Sequence, residues 1–553
     1  MEGQSRKWMI LVAVTWIQAF TGTNFDFSSY SSSLKLVLGI SQVQLSYLSV
    51  ASDMGKAFGW CSGVSLLYFP LWIVLFIAAF MGLLGYGLQW LVIKQIISLP
   101  YILVFLLSLM AGCSICWFNT ICYVLCLRNF PTNKALALSL TISFNGVSAA
   151  LYTLLANAIS PNEDSIYLLS NALIPVLVSG LALLPILRQP SLQALSTDTT
   201  RLDYSIFLIL NILAIITGLY LLLFNSLSTV ASTARILLGG AIVLLVLPLL
   251  LPGIVSARGW SRHSFSWINN DDLDLFKGLT EGDEAAPMSS NSYNPTEREG
   301  FCGIFSCCGQ LVEKDRLTVL GEEHPARLLA RRLDFWLYYV SYFCGGTIGL
   351  VYSNNLGQIA QSLGYDSQLT SLVTLYSSCS FFGRLLSAAP DFLQEKVGFA
   401  RTGWFAAALL PTPVALFLLV LSSSDAALHT GTALIGLSSG FLFSSAVSIT
   451  SELFGAKSAG VNHNILITNI PIGSLLYGLL AATIYDANAG STSLLETFLG
   501  EAMVCMGREC YLKTFIIWGC ISLMGLVSSF VLFLRTRPAY DGFKRNPNRI
   551  GFC

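Results

Sequence analysis

The sequence predicts an all-α integral membrane protein of two six-helix bundles with two further helices between them, about fourteen spans in all. Three observations predict it. The 553 residues are 54% hydrophobic and only 11% charged, with a mean hydropathy of +0.68, whereas a soluble domain carries about 25% charge. Apolar stretches of about 20 residues, long enough to cross a ~30 Å hydrocarbon core, recur along nearly the whole length. The third observation is an internal repeat. Phe130-Pro-Thr-Asn-Lys134 recurs as Phe454-Gly-Ala-Lys457, and Leu151-Tyr152 with Leu154-Leu155-Ala156 recurs as Leu476-Tyr477 with Leu479-Leu480-Ala481. Asn145 maps to Asn469, Gly22-Thr23 to Gly346-Thr347, and Ser41-Gln42 to Ser367-Gln368. Each pair lies roughly 325 positions apart, as expected of duplicated units, and two parallel helical halves with a site between them are a transporter plan.

The apolar run that opens after Arg6-Lys7-Trp8 continues past signal-peptide length with no small-residue cleavage site, so it reads as a retained first helix. Helices are expected at about 8–30, 42–66, 71–92, 101–127, 134–159 and 165–187, then 203–225 and 232–256, then 334–357, 366–388, 401–421, 428–450, 458–484 and 513–535. The chain thus divides into an N-terminal bundle over about 1–190, two inserted helices to about 256, a polar loop to about 332, a C-terminal bundle to about 536 and a tail to 553. Lys and Arg crowd one set of loops, with Arg6, Lys7, Arg128, Lys134, Arg188, Arg258, Lys457 and Arg537 among them. The opposite set has only Lys35, Lys94, Arg235, Arg508 and Lys513, so both termini and the long loop are expected in the cytoplasm.

Within that loop, Asn269 to Asn294-Pro-Thr is polar, acidic and poor in aliphatics, which predicts disorder. Glu322 to Leu333 has helical apolar spacing with acids early and bases late, and predicts an interfacial helix. Cys302, Cys307 and Cys308 lie beside Phe301 and Phe305 in this loop, where such thiols can accept palmitate or stay inert. Of the fourteen cysteines most lie in apolar helices, but Cys505 and Cys510 share a predicted outer loop where a disulfide can form.

Net charge is zero, so nothing electrostatic favours nucleic acid as a partner. No His-Glu-x-x-His, Gly-x-Ser-x-Gly or Walker-A loop occurs, so neither an enzyme nor an ATP-driven pump is expected. No cofactor and no metal are expected, because no pair of Cys-x-x-Cys or paired histidines has ligand spacing.

Charge inside the membrane needs a reason, since each such group costs roughly 2.5–3.5 kcal/mol on insertion scales. Asp53 and Lys56 stand three apart, about 16–21 Å into the second helix at ~1.5 Å per residue, so they share a face and can pair. The pair reads either as a coupling or anion-binding device or as a neutralised structural pair. If Asp53 takes a proton, Lys56 is freed to attract an anion. His463, between Asn462 and Asn464, can titrate near neutrality, so it is a third coupling candidate beside the alternative of a hydrogen bond to the adjacent loop. Asn145 and Asn469 sit at matching depths, where an amide more often bonds across helices than binds a solute. Glu452 and Lys457 are expected to form a helix-end pair.

Ser52-Asp-Met-Gly-Lys56, Leu88-Gln-Trp90, the run from Tyr352 to Gly364, Ser451-Glu-Leu-Phe-Gly455 and Gly460-Val-Asn-His-Asn464 resemble plant nodulin-like proteins, the nuclear-fusion-defective-like branch of the major facilitator superfamily. The resemblance covers essentially the whole chain. It implies a facilitator fold related to monocarboxylate and oxalate–formate carriers, in which the first helix of each half lines a central cavity. On that basis Thr23, Asn24 and Asp26 should face Tyr352, Asn354, Asn355 and Gln358. It also implies a charge-paired gate, kept here as Gly383-Arg384, Asp391, Gly398 and Arg401, with Arg384 pairing Asp391. The equivalent loop of the first half, Gly63 to Pro70, has no charge.

Two functions follow. One is a secondary active transporter that moves a small solute, an organic anion by kinship and by Lys56, through rocking of the halves with proton coupling. The other is a non-transporting membrane sensor or scaffold that recruits a protein partner through the long loop.

Overall fold

A computed structural model describes residues 2–545, apart from 41, 161–162, 189–196, 225–227, 229, 256–315, 318, 366–367, 394–398 and 490–504. Cys302, Cys307, Cys308 and Gly398 lie outside the described residues. Every regular element among the described residues is helical. Among the described residues ten helices are long and apolar enough to cross a membrane, against fourteen expected. The four that fall outside the ten are the first two of each half, and polarity or a break explains each. The first carries Glu2, Arg6 and Lys7 and breaks at Gly22, between Glu2–Thr21 and Phe27–Leu38. The second passes through a 3-10 turn at Lys56–Gly59, between Gln42–Gly55 and Trp60–Tyr68. In the other half, Leu333–Cys344 breaks at Gly345 before Gly346–Ser362, and Leu369–Leu386 carries Thr374, Ser377, Ser378, Ser380 and Arg384.

The repeated residues mark these breaks. A Cβ on Gly22 would stand 2.6 Å from the Asn145 carbonyl oxygen, so the first span touches the fifth backbone to backbone. In the second half Thr347 Oγ1 donates to Asn469 Oδ1 at 3.2 Å, the same contact made by side chains. The fifth spans themselves break beside these asparagines, Lys134–Gly146 giving way to Ser148–Ile159 and Ala459–Ile467 to Asn469–Ala489. A second matched contact brings the second and fourth helices of each half together. Cβ atoms on Gly112 and Gly440 would lie 1.8 Å from Ser52 O and 2.0 Å from Ser380 O. Such crossings admit no side chain. Gly440→Leu is therefore expected to lower the melting temperature of the detergent-solubilised protein, since overpacking costs about 1–3 kcal/mol or more; an unchanged melting temperature contradicts this packing.

One face of the bundle gathers the charged helix ends. Lys7 pairs with Asp203 at 2.5 Å, and Trp8 packs edge-on against Phe207 and tilted against Phe130. The inserted helix Thr197–Phe224 so starts stapled to the first helix, and its Tyr204 meets Phe392 of the second half at 5.2 Å. Asp334 pairs with Arg535 at 2.5 Å, both fully buried. The last helix, Glu509–Arg545, runs through Pro538 and takes in the first part of the expected tail. At its start Cys505 and Cys510 are joined in a disulfide.

The expected interfacial helix over Glu322 to Leu333 is a correction. Between Glu322 and Arg332 only Ala326–Leu329 is helical, because Gly321 has φ +80° and a residue before proline, here His324 before Pro325, disfavours the helical region. The segment is a strap against the loop between the fourth and fifth helices of the second half. Gly321 N donates to Glu452 O at 2.7 Å and His324 N to Phe454 O at 3.1 Å. The Glu323 carboxylate accepts from the backbone N–H groups of Lys457 and Ser458 at 2.7 and 3.0 Å, capping the helix that begins at Ala459.

Candidate functional site

Between the halves lies a cavity of about 90 Å³. A water needs roughly 10–15 Å³ on this measure, so the space suits a solute of a few heavy atoms. Elements of both halves carry its polar lining. The turn at Gly22–Asp26 presents Asn24 and Phe25, the 3-10 turn presents Lys56, Leu369–Leu386 presents Arg384, and Ala459–Ile467 presents His463 and Asn464. Tyr101–Asn129 adds Asn119 and Tyr123, one turn apart, and Asn145 closes the wall.

Arg384 dominates the site. It is 4% exposed, and its Nη1 donates to Ile142 O at 3.3 Å and to Asn145 Oδ1 at 3.2 Å. Phe25 and Phe443 flank the guanidinium, with ring centroids 5.5 and 5.9 Å from Cζ. Such contacts are worth about 0.5–2 kcal/mol each and fix the plane of the group. The expected pairing of Arg384 with Asp391 is a correction: the helix turns Arg384 inward before it ends, and Asp391 lies beyond it in Ala389–Leu393. Arg401 takes Asp391 instead, at 2.5 Å, and also Glu452 at 2.9 Å, while Tyr540 OH donates to Glu452 at 2.9 Å. Glu452 thus anchors this network. Burial raises the Asp391 carboxyl and the Arg401 guanidinium opposes that rise. Lys134 of the first half stands within electrostatic reach of Glu452, Arg401 and Asp391, so the cluster has a cation from each half.

Asp53 and Lys56 do meet, Nζ to Oδ1 at 2.6 Å, and both are buried. Asp53 Oδ2 accepts from Ser474 Oγ at 2.9 Å and from Asn354 Nδ2 at 3.4 Å, two groups of the opposite half. Deeper toward the termini, Asn464 Nδ2 donates to Thr120 Oγ1 at 3.2 Å, and a Cβ on Gly63 would stand 3.3 Å from Val461. The halves therefore touch on both sides of the cavity. His463 packs edge-on against Tyr123, 5.5 Å between centroids, and its Nδ1 has no hydrogen-bond partner among the described residues.

Several residues expected in the cavity are elsewhere. Thr23 bonds Tyr86 OH at 2.7 Å, and Asp26, 1% exposed, accepts from Asn171 Nδ2 at 3.0–3.1 Å. Tyr352 OH bonds Thr432 at 2.8 Å, Asn355 donates to Val351 O at 2.8 Å, and Gln358 accepts from Tyr511 OH at 3.0 Å. Asn469 is held by Thr347. Each bonds a neighbouring helix or its own, and none lines this cavity. Asn24, Asn145, Lys56 and His463 do line it, while Asn354 and Asp53 line a smaller space beside it.

Six buried lining atoms have no hydrogen-bond partner among the described residues: Gln18 Nε2 and Oε1, Asn119 Oδ1, Asn145 Nδ2, Arg384 Nε and His463 Nδ1. An unmet buried polar group costs about 1–3 kcal/mol, so their concentration around one space marks a place built for a polar solute. Nothing among the described residues groups three or more His, Cys, Asp or Glu in a way that could hold a metal ion.

Comparisons with known proteins bear on this arrangement. The sequence matches the Nodulin-like family over residues 7–253 and the NFD4 C-terminal domain over residues 318–541. It is 58% identical over 549 residues to Protein NUCLEAR FUSION DEFECTIVE 4 of Arabidopsis thaliana, spanning 99% of this chain and 91% of that one. A fainter likeness, 26% over 196 residues, links 33% of this chain to 38% of the Probable transporter MCH1 of Yarrowia lipolytica. In three dimensions the chain is similar to the proton:xylose symporter XylE of the major facilitator superfamily, with a TM-score of 0.53, 12% identity, and 98% and 99% of the two chains covered.

Proposed function

This chain belongs to the plant nodulin-like family and has a major-facilitator fold, and from that premise we propose that it is a secondary active carrier of small organic anions, coupled to protons. One observation carries the reading: two cations, Arg384 and Lys56, line the central cavity and, among the described residues, no carboxylate does. A carboxylate about 4 Å from a guanidinium gains roughly 4 kcal/mol at an effective dielectric of 20. Arg384 Nε and Asn145 Nδ2 are donors without partners, suited to its two oxygens.

Coupling follows from the Asp53–Lys56 pair. A proton on Asp53 removes the charge that holds Lys56, and Lys56 then joins Arg384 in holding the anion. Proton and anion so favour the same state, which is what coupling requires. Because Asp53 also accepts from Ser474 and Asn354, its protonation changes the contact between halves that alternating access must release. The crowding of Lys and Arg on the termini's face supports cytoplasmic termini.

Thermal stabilisation of the purified protein tests the anion reading. Lactate at about 100 times its dissociation constant is expected to add about 2.7 kcal/mol, while lactamide, its neutral isostere, adds nothing. Equal responses, or none to any carboxylate, would return the chain to the sensor or scaffold reading.

A further inference from the structure

We propose that Phe25 is a specificity-determining partition, confining the solute at Arg384 to short carboxylates and screening a second chamber built for hydroxylated acids of longer chain. The inference rests on the carrier reading above. A second cavity, of about 170 Å³, lies against the first, and Phe25 belongs to the walls of both. Its ring covers Arg384, with the centroid 5.5 Å from Cζ.

The backbone around Phe25 suits a movable side chain on a fixed base. Thr23 is tied to Tyr86, Asp26 to Asn171, and Gly22 lies against Asn145 and Ser148. Those three anchors hold the break in the first span, and Asn24 and Phe25 project from it between the halves. Rotation of one side chain, with no backbone movement, would join the chambers.

The second chamber offers hydroxyls. Thr374, Ser377 and Ser378 line it, partly exposed, with Ser29 and Thr153 opposite. Ser377 stands seven residues before Arg384 on one helix, two turns and about 10 Å along it at ~1.5 Å per residue. A carboxylate held by Arg384 thus has serine and threonine hydroxyls within the reach of a five- or six-carbon chain. Phe381, which a Cβ on Gly218 of the inserted helix would strike at 2.2 Å, forms a rigid wall on the far side. The chamber's chemistry, hydroxyls beside an aromatic face, fits a polyhydroxylated chain better than an alkyl one.

The test compares dissociation constants of lactate, gluconate and hexanoate for the purified full chain and two variants. Phe25→Ala is expected to tighten gluconate relative to lactate by about tenfold or more, the scale of one or two group contacts in a pocket, with hexanoate gaining less. Phe25→Trp is expected to move the ratio the other way, weakening gluconate more than lactate. Adding Ser377→Ala and Ser378→Ala to Phe25→Ala should reverse the gluconate gain alone. A gluconate-to-lactate ratio unchanged in both Phe25 variants, with lactate still bound, overturns the partition and leaves the carrier reading standing. No carboxylate bound by the parent protein overturns both.

Discussion

Replacing Arg384 with glutamine is expected to abolish anion binding while leaving the protein folded and slightly more stable. The opposite signs are what make this informative. Arg384 meets its own protein only through Ile142 O, Asn145 Oδ1 and two aromatic faces, with no carboxylate partner among the described residues. A buried charge so placed burdens the fold, and removing it relieves that burden. Hydrogen bonds to charged groups contribute about 1.5–3 kcal/mol, so losing even one bond to the solute weakens binding about 10- to 150-fold. Arg384→Lys should rescue only part of this, because an ammonium cannot match two carboxylate oxygens with a planar fork. Isothermal titration with lactate and a melting curve read both effects. A variant that binds as tightly as the parent places the anion elsewhere, and one that melts early makes Arg384 a structural residue.

The second large effect concerns the ion pair. Asp53→Asn mimics a permanently protonated carboxyl, and it should free proteoliposome anion exchange from its dependence on pH while leaving exchange itself intact. Lys56→Gln is expected to behave differently: it strands Asp53 buried without its cation, a loss of about 3–5 kcal/mol for a broken buried pair. The double variant should recover stability but not proton-driven uptake. If Asp53→Asn keeps the parent's pH dependence and loses only stability, the pair is structural.

These expectations depend on features that the sequence displayed unevenly. Asp53–Lys56 was legible because a three-residue spacing on a helix puts the two side chains on one face. The repeat was legible too, although its meaning was not: Gly22 with Asn145, and Thr347 with Asn469, are contacts between breaks, and an apolar period that continues through a break gives no sign of it. Arg384 was misread because its place in a gate-like spacing pointed to the loop, when helix rotation turns it inward and leaves Asp391 to Arg401. Tyr352, Asp26 and Gln358 were expected in the cavity because the family resemblance puts the first helix of each half there, yet each is matched by a neighbouring helix. Phe25 carried no signal at all. An aromatic residue beside polar ones becomes conspicuous only when two cavities are seen to share it.

The most direct test is uptake of radiolabelled lactate into proteoliposomes, with the bulk solution acidic and the lumen neutral. Accumulation above equilibrium that collapses when the pH gradient is dissipated, and that is absent in Arg384→Gln, is the predicted result. Folded protein that moves no lactate or other short carboxylate under any gradient would contradict the assignment of this cavity to anion transport.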